Sequence, residues 1–124
     1  MAEFFAFTGG VRPFSEAVKV GDLLFISGQV GVDRSNGIFP SSIEGQTEQA
    51  IKNLCMVLGK HGLTLADVVK MTAILTDKKQ IAGFNQVYAK YFPQNPPART
   101  LMVIQDLVGD AIMELDAIAE IKQK

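Results

Sequence analysis

"PPARTLMVIQDLVGDAIMELDAIAEI", residues 96–121, decides the fold, because it holds two β-type runs and each carries a charge in an apolar setting. Arg99 opens the first run, directly after Pro96, Pro97 and Ala98. In the second, Glu114 and Asp116 interrupt Met113, Leu115, Ala117 and Ile118. With a period of two, Met113, Leu115, Ala117, Ala119 and Ile121 share one face, and Ile112 and Ile118 lie on the other. The closing strand is therefore apolar on both faces apart from Glu114, Asp116 and Glu120. A charge in such a strand either looks into solvent or is held by a partner in a site.

Upstream, Ala17–Val20 and Leu23–Val30 are β-type runs joined by Gly21-Asp22, which predicts a hairpin. Asn36-Gly37 and Pro40 mark a loop. Ser41 and Ser42 are candidate N-caps for a helix from about Glu44 to Lys60, with Ile51, Leu54, Cys55 and Leu58 on its apolar stripe. His61-Gly62 ends it. The turn Thr64–Asp67 leads to a strand over Val68–Leu75. A second helix is expected over roughly Lys78–Phe92, with Ile81, Phe84, Tyr88 and Tyr91 about one face and Pro93 as its stop. Arg99–Gln105 and Ala111–Lys122 complete the order ββαβαββ, joined by a loop around Val108-Gly109-Asp110. This is an α+β pattern: one mixed sheet with two helices on one face. Two helices with single apolar stripes cover only that face. The doubly apolar closing strand needs a second cover, and another subunit is the expected one.

Length and composition narrow the function. At 124 residues, one domain over 1–124 is expected. The net charge of −1 gives no basic footprint for a nucleic-acid backbone, so no nucleic acid is expected as a partner. The longest apolar runs are far too short to span a bilayer, so no membrane partner is expected either. MAEFFAFTGG at the start lacks a basic n-region and carries Glu3, unlike a signal peptide. A single cysteine, Cys55, excludes an internal disulfide and fits a reducing compartment, with the cytoplasm as default.

Most chemical motifs are absent. There is no C-x-x-C and no H-E-x-x-H, and one histidine makes a metal site a poor expectation. His61 reads as a helix C-terminal capping residue. Cys55, on the helix stripe, reads as a buried structural thiol. Ser27 sits in FISGQVGV, which is not the G-x-S-x-G elbow. Arg99 and Glu114 remain. A lone strand-start arginine is ordinarily a solvent residue, and a lone glutamate on an edge strand ordinarily a surface one. As a pair they suggest a guanidinium fork for a carboxylate and a carboxylate that holds a water.

PPART followed by LVGDAIMELDAIAEI resembles the C-terminal signature of the RidA/YjgF (reactive intermediate deaminase) family, in which Pro-Ala-Arg opens one strand and a Glu lies in an apolar closing strand. LLFISGQVGVD, QTEQAIKNLCMVL, GLTLADVVKMTAILTD and FNQVYAKYF match as well, so the resemblance covers nearly the whole chain. It implies a chorismate-mutase-like α+β fold of the bacillus type. It also implies a homotrimer with a central barrel and clefts between subunits. The implied activity is hydrolysis of 2-enamine and 2-imine acids, such as 2-iminopropanoate and 2-iminobutanoate, to 2-keto acids and ammonia. No metal or cofactor is implied, and pyridoxal-phosphate dehydratases are the implied source of the imines. In this reading Arg99 grips the substrate carboxylate and Glu114 positions water, while Ser27 and Asn85 line the cleft. The chain departs from the family pattern at two cleft positions, with Phe14 where a tyrosine is common and Leu101 where a cysteine is common. Two alternatives stay open: a small-molecule binding or chaperone-like protein using the same cleft, and a ribonuclease. The acidic pI near 5.8 speaks against the second.

Overall fold

The computed structural model describes residues 1–122; the last two residues of the expected 1–124 domain lie outside the described residues. Six strands form one mixed sheet: β1 (Glu3–Phe5), β2 (Ala17–Val20), β3 (Leu23–Val30), β4 (Val68–Leu75), β5 (Ala98–Val103) and β6 (Met113–Glu120). Two α-helices, α1 (Ile43–Lys60) and α2 (Ile81–Tyr91), follow β3 and β4. The strand order is β1-β2-β3-β6-β4-β5, with β4 and β5 parallel and the other pairs antiparallel. The last strand in sequence is thus inserted into the middle of the sheet, between β3 and β4. That position explains its composition: Met113, Leu115, Ala117 and Ala119 are buried under the helices.

The expected α+β architecture is present, with three differences of detail. β1 was not expected; its three residues are too few to show a period, and pairing of Glu3 with Lys19 and Phe5 with Ala17 is what makes it a strand. The second helix starts later, because Lys78–Gln80 form a 3₁₀ turn whose N-cap, Asp77, accepts from the Lys79 amide. Cys55 is not buried: it is exposed, and the stripe that meets the sheet is Ala50, Ile51, Leu54, Val57 and Leu58. The i+4 step from Ile51 carries Cys55 to the rim of the stripe rather than its centre.

The caps follow the expected chemistry. Ser42 Oγ accepts from the Gly45 amide at 3.0 Å at the start of α1. At its end Gly62 takes φ +71°, and the Leu63 amide reaches back to the Leu58 carbonyl at 3.0 Å, the Schellman pattern. Gly21 at φ +58° makes the hairpin turn between β2 and β3.

Both helices cover one face of the sheet. Leu24 and Ile26 of β3, Met71, Ala73 and Leu75 of β4, and the four buried residues of β6 meet Ile51, Leu54 and Leu58 of α1 and Phe84 of α2. The opposite face is bare in the single chain: Leu23, Phe25 and Met102 are each about two-fifths exposed (39%, 41% and 43%). Two buried polar side chains of α1 fix the strand ends near the candidate site. Gln46 accepts from the Ile112 amide at 2.9 Å and donates to the carbonyls of Pro40 and Asp110 at 2.9 and 3.0 Å. Asn53 donates to the carbonyls of Val30 and Val32 at 3.0 and 2.8 Å. Buried amides satisfied in this way hold backbone in place at little net cost.

Candidate active site

Glu114 lies on the bare face, paired with Val30 of β3 and Ile74 of β4. The register of β3 and β6 shifts between Ile26 and Gln29, so Ser27 and Gly28 form an irregularity opposite the strand that carries Glu114. A Cβ on Gly28 would stand 2.3 Å from Glu114 Oε2, so glycine is what admits the carboxylate there. Ser27 Oγ donates to the Ser15 carbonyl at 2.6 Å, and its amide donates to the Glu16 carbonyl at 3.0 Å. Ser27 therefore ties the segment that carries Phe14 to the sheet. Phe14 stands edge-on to Phe7, with ring centroids 5.3 Å apart. Phe14, Ser27, Gly28 and Glu114 line one groove of ≈ 790 Å³, together with Arg12 and Arg34.

Half-burial holds the Glu114 carboxyl above its ordinary value, and the like charge of Asp116 on the same face pushes it further the same way. No ion pair among the described residues engages it. Such a carboxylate has lone pairs to offer to a water or a substrate proton.

Arg99 is elsewhere. In the parallel pairing of β4 with β5 it registers with Met71, a residue of the helix-covered face. Its guanidinium lies over the rings of Tyr88 and Phe84, 4.8 and 5.6 Å from their centroids, and Nη1 donates to Asn85 Oδ1 at 2.8 Å. The α2 spacing Phe84, Asn85, Tyr88 builds this cradle on one face of one helical turn. The fork is exposed and pre-oriented, with donors left for a carboxylate. Leu101 follows on the same face, half-buried against the core. Arg99 and Asn85 thus come together, as do Phe14, Ser27 and Glu114, but the two groups occupy opposite faces of one sheet. Among the described residues, no three His, Cys, Asp or Glu side chains gather as a metal site requires. Gly28, Arg12 and Arg34 escaped the sequence reading. Gly28 sits inside FISGQVGV, where a glycine interrupting a strand is the usual sign of an irregularity or a close approach. The two arginines lie in loops and carry no periodic signal.

The chain matches known proteins over most of its length. The Endoribonuclease L-PSP family profile matches residues 8–121. A RutC family protein of Saccharolobus solfataricus is 41% identical over 111 residues, covering 89% of this chain and 88% of that one. The chloroplastic Reactive Intermediate Deaminase A of Arabidopsis thaliana is 40% identical over 108 residues, covering 86% of this chain and 58% of the longer plant protein. The crystal structure of E. coli TdcF with bound serine superposes with a TM-score of 0.89 at 28% identity, covering 97% of this chain and 100% of that one. An α+β chain with this sheet order and these relatives belongs to the Endoribonuclease L-PSP family. It stands among members that include a reactive intermediate deaminase.

Proposed function

We propose that this protein hydrolyses 2-imino acids and their 2-enamine tautomers, among them 2-iminopropanoate and 2-iminobutanoate, to 2-keto acids and ammonia, as a homotrimer without metal or cofactor. The carrying observation is the Glu114 carboxylate. It is half-buried, free of any ion pair among the described residues, and admitted to a ≈ 790 Å³ groove by the missing Cβ of Gly28. The kinship with a reactive intermediate deaminase and with a fold that holds an amino acid supports it.

A trimer supplies what one chain lacks. Arg99 and Glu114 face opposite sides of the sheet, so the cleft that uses both takes Arg99 from one subunit and Glu114 from the next. The bare sheet faces, with Leu23, Phe25 and Met102, then meet around the threefold axis. In the cleft Arg99 binds the substrate carboxylate through a two-pronged contact, and Asn85 and Tyr88 hold the fork still. Glu114 orients a water against the imine carbon and takes its proton as the C–O bond forms. That proton passes to the nitrogen of the carbinolamine, the C–N bond breaks, and ammonia leaves the keto acid. A protonated imine is already electrophilic, so the residues are asked for positioning more than for acid strength. Dehydratases that use pyridoxal phosphate release such imines and are the expected upstream enzymes.

Keto-acid appearance from a threonine dehydratase, with and without the protein, is the direct test. Arg99→Ala should weaken keto-acid binding and turnover together, whereas Glu114→Gln should keep binding and lose turnover by about a hundredfold, the scale of a removed acid–base group. Wild-type kcat in Glu114→Gln would make Glu114 a strand residue and nothing more.

A further inference from the structure

The groove that holds Glu114 also carries cationic side chains that the deaminase reading does not use. In the single chain this groove measures ≈ 790 Å³. Arg12 and Arg34 line it together with Glu114. Both arginines also line an adjoining groove of ≈ 240 Å³, where the third cation, Lys60, is already paired with Glu16 at 2.9 Å. Neither arginine has a carboxylate partner among the described residues.

Both guanidiniums are held. Arg34 Nη2 donates at 2.6 Å to Oε1 of Gln29, a side chain with 0% exposure whose own Nε2 donates to the Ser27 carbonyl at 3.2 Å. The adjacent Asp33 does not neutralise Arg34. Its carboxylate accepts from the amide and hydroxyl of Ser35 at 2.9 and 2.6 Å, an Asx turn that closes the loop on itself. Arg12 lies over the Phe7 ring, 4.3 Å from its centroid. Two unneutralised guanidiniums on separate loops, each with one contact that holds it, line the same groove as Glu114 and offer an anion their forks, in a chain whose net charge is −1.

The geometry points to a substrate with a second carboxylate: Arg12 and Arg34 select a 2-imino dicarboxylate, held at its far end while Glu114 acts at the imine carbon. This inference rests on the proposed deaminase site and narrows its substrate class. The reaction is unchanged in balance: one water adds, one ammonia leaves, and a 2-keto dicarboxylate is formed. The supplying reaction is a two-electron oxidation of the amine of an acidic amino acid by a flavin oxidase, with dioxygen taking the two electrons and two protons as hydrogen peroxide, which yields the imine directly.

The test has two arms, run on wild type, Arg12→Gln, Arg34→Gln and the double variant. The first arm generates imines with a flavin amino-acid oxidase from glutamate and from 2-aminobutyrate, and compares kcat/KM. Wild type should favour the dicarboxylate imine by tenfold or more, and the double variant should lose about tenfold or more of that ratio, the scale of charge-assisted hydrogen bonds removed. The second arm titrates 2-oxoglutarate and 2-oxobutanoate by calorimetry, with the same ratio expected in affinity. Arg34→Lys, which keeps the charge and loses the fork, covers the case in which Arg34→Gln unsettles Gln29 at the end of β3, and should show an intermediate ratio. Equal rates and equal affinities for the two chain types overturn this inference and leave the deaminase reading standing. No acceleration of either imine, with 2-oxoglutarate affinity that falls in the double variant, overturns the deaminase reading and keeps the second-carboxylate site.

Discussion

The two faces of the sheet are built to different rules although the same strands make both. On the helix-covered face β6 presents Met113, Leu115, Ala117 and Ala119, all buried in the apolar core, with Gln29 of β3 as a buried polar neighbour opposite Leu115. On the bare face the same strand presents Glu114, Asp116 and Ile118, opposite Phe25, Val30, Thr72 and Ile74. Along β6, alternation is therefore a division of labour: one set of side chains folds the subunit, and the other is left for association and chemistry. A charge among these buried side chains of β6 would be uncompensated, whereas Arg99, on the same side of the sheet, stands exposed on the edge strand β5.

Substitutions on the two faces should fail differently, which gives ways to break that comparison. The largest effect belongs to the covered face. Leu115→Ala should cost about 2–5 kcal/mol, because helices on one side and strands on both flanks prevent the cavity from collapsing. Thermal or urea unfolding measures it, and a loss below about 1 kcal/mol would mean that the core is looser than its burial implies.

On the bare face the expected loss is of assembly rather than of fold. Wild type should scatter light as a particle of about three times 13.5 kDa. Phe25→Asp should give a monomer with unchanged far-ultraviolet circular dichroism and no imine hydrolysis. Wild type that is itself monomeric at micromolar concentration would remove the clefts altogether.

A smaller and more local effect is expected at Gly28. The added methyl of Gly28→Ala meets the end of a flexible side chain, the Glu114 carboxylate, and not backbone. The carboxylate should swing aside, so turnover should fall by about tenfold or more through misplacement, with the melting temperature nearly kept. A collapse of stability with normal turnover in the surviving fraction would show that the irregularity in β3, and not Glu114, is what needs glycine.

The smallest effect is a shift in pH dependence. Glu114 must be ionised to take a proton from water, and burial together with Asp116 holds its carboxyl above the ordinary 4.5. The acid limb of kcat/KM should therefore lie above pH 4.5, with activity rising as pH passes through it. Asp116→Asn removes the like charge and should move that limb to lower pH. Because burial is the larger cause, the limb should still not reach the ordinary value. A limb that does not move in Asp116→Asn would leave burial as its sole cause.

Much of this was open to reading in the sequence by itself. Period-two alternation, Gly21, Gly62, Ser42 and Pro93 mark the elements of a ββαβαββ chain, since each rests on local backbone chemistry. The pairing of Pro-Ala-Arg with a glutamate in an apolar strand singled out Arg99 and Glu114, because a charge among apolar neighbours stands out in one dimension. Tertiary structure decided what depends on contacts between distant segments. It made a strand of Glu3–Phe5 through pairing with β2 and the packing of Phe5 against His61, and it put β6 into the middle of the sheet. It turned Cys55 outward, because the helix's rotation on the sheet is set by the whole stripe and not by one position. It also set Arg99 and Glu114 on opposite faces, which strand parity alone could not show without the register of β5 on β4 and of β6 on β3. Arg12, Arg34 and Gly28 share a groove with Glu114 only because loops and an irregular strand meet there, and that proximity exists in three dimensions alone.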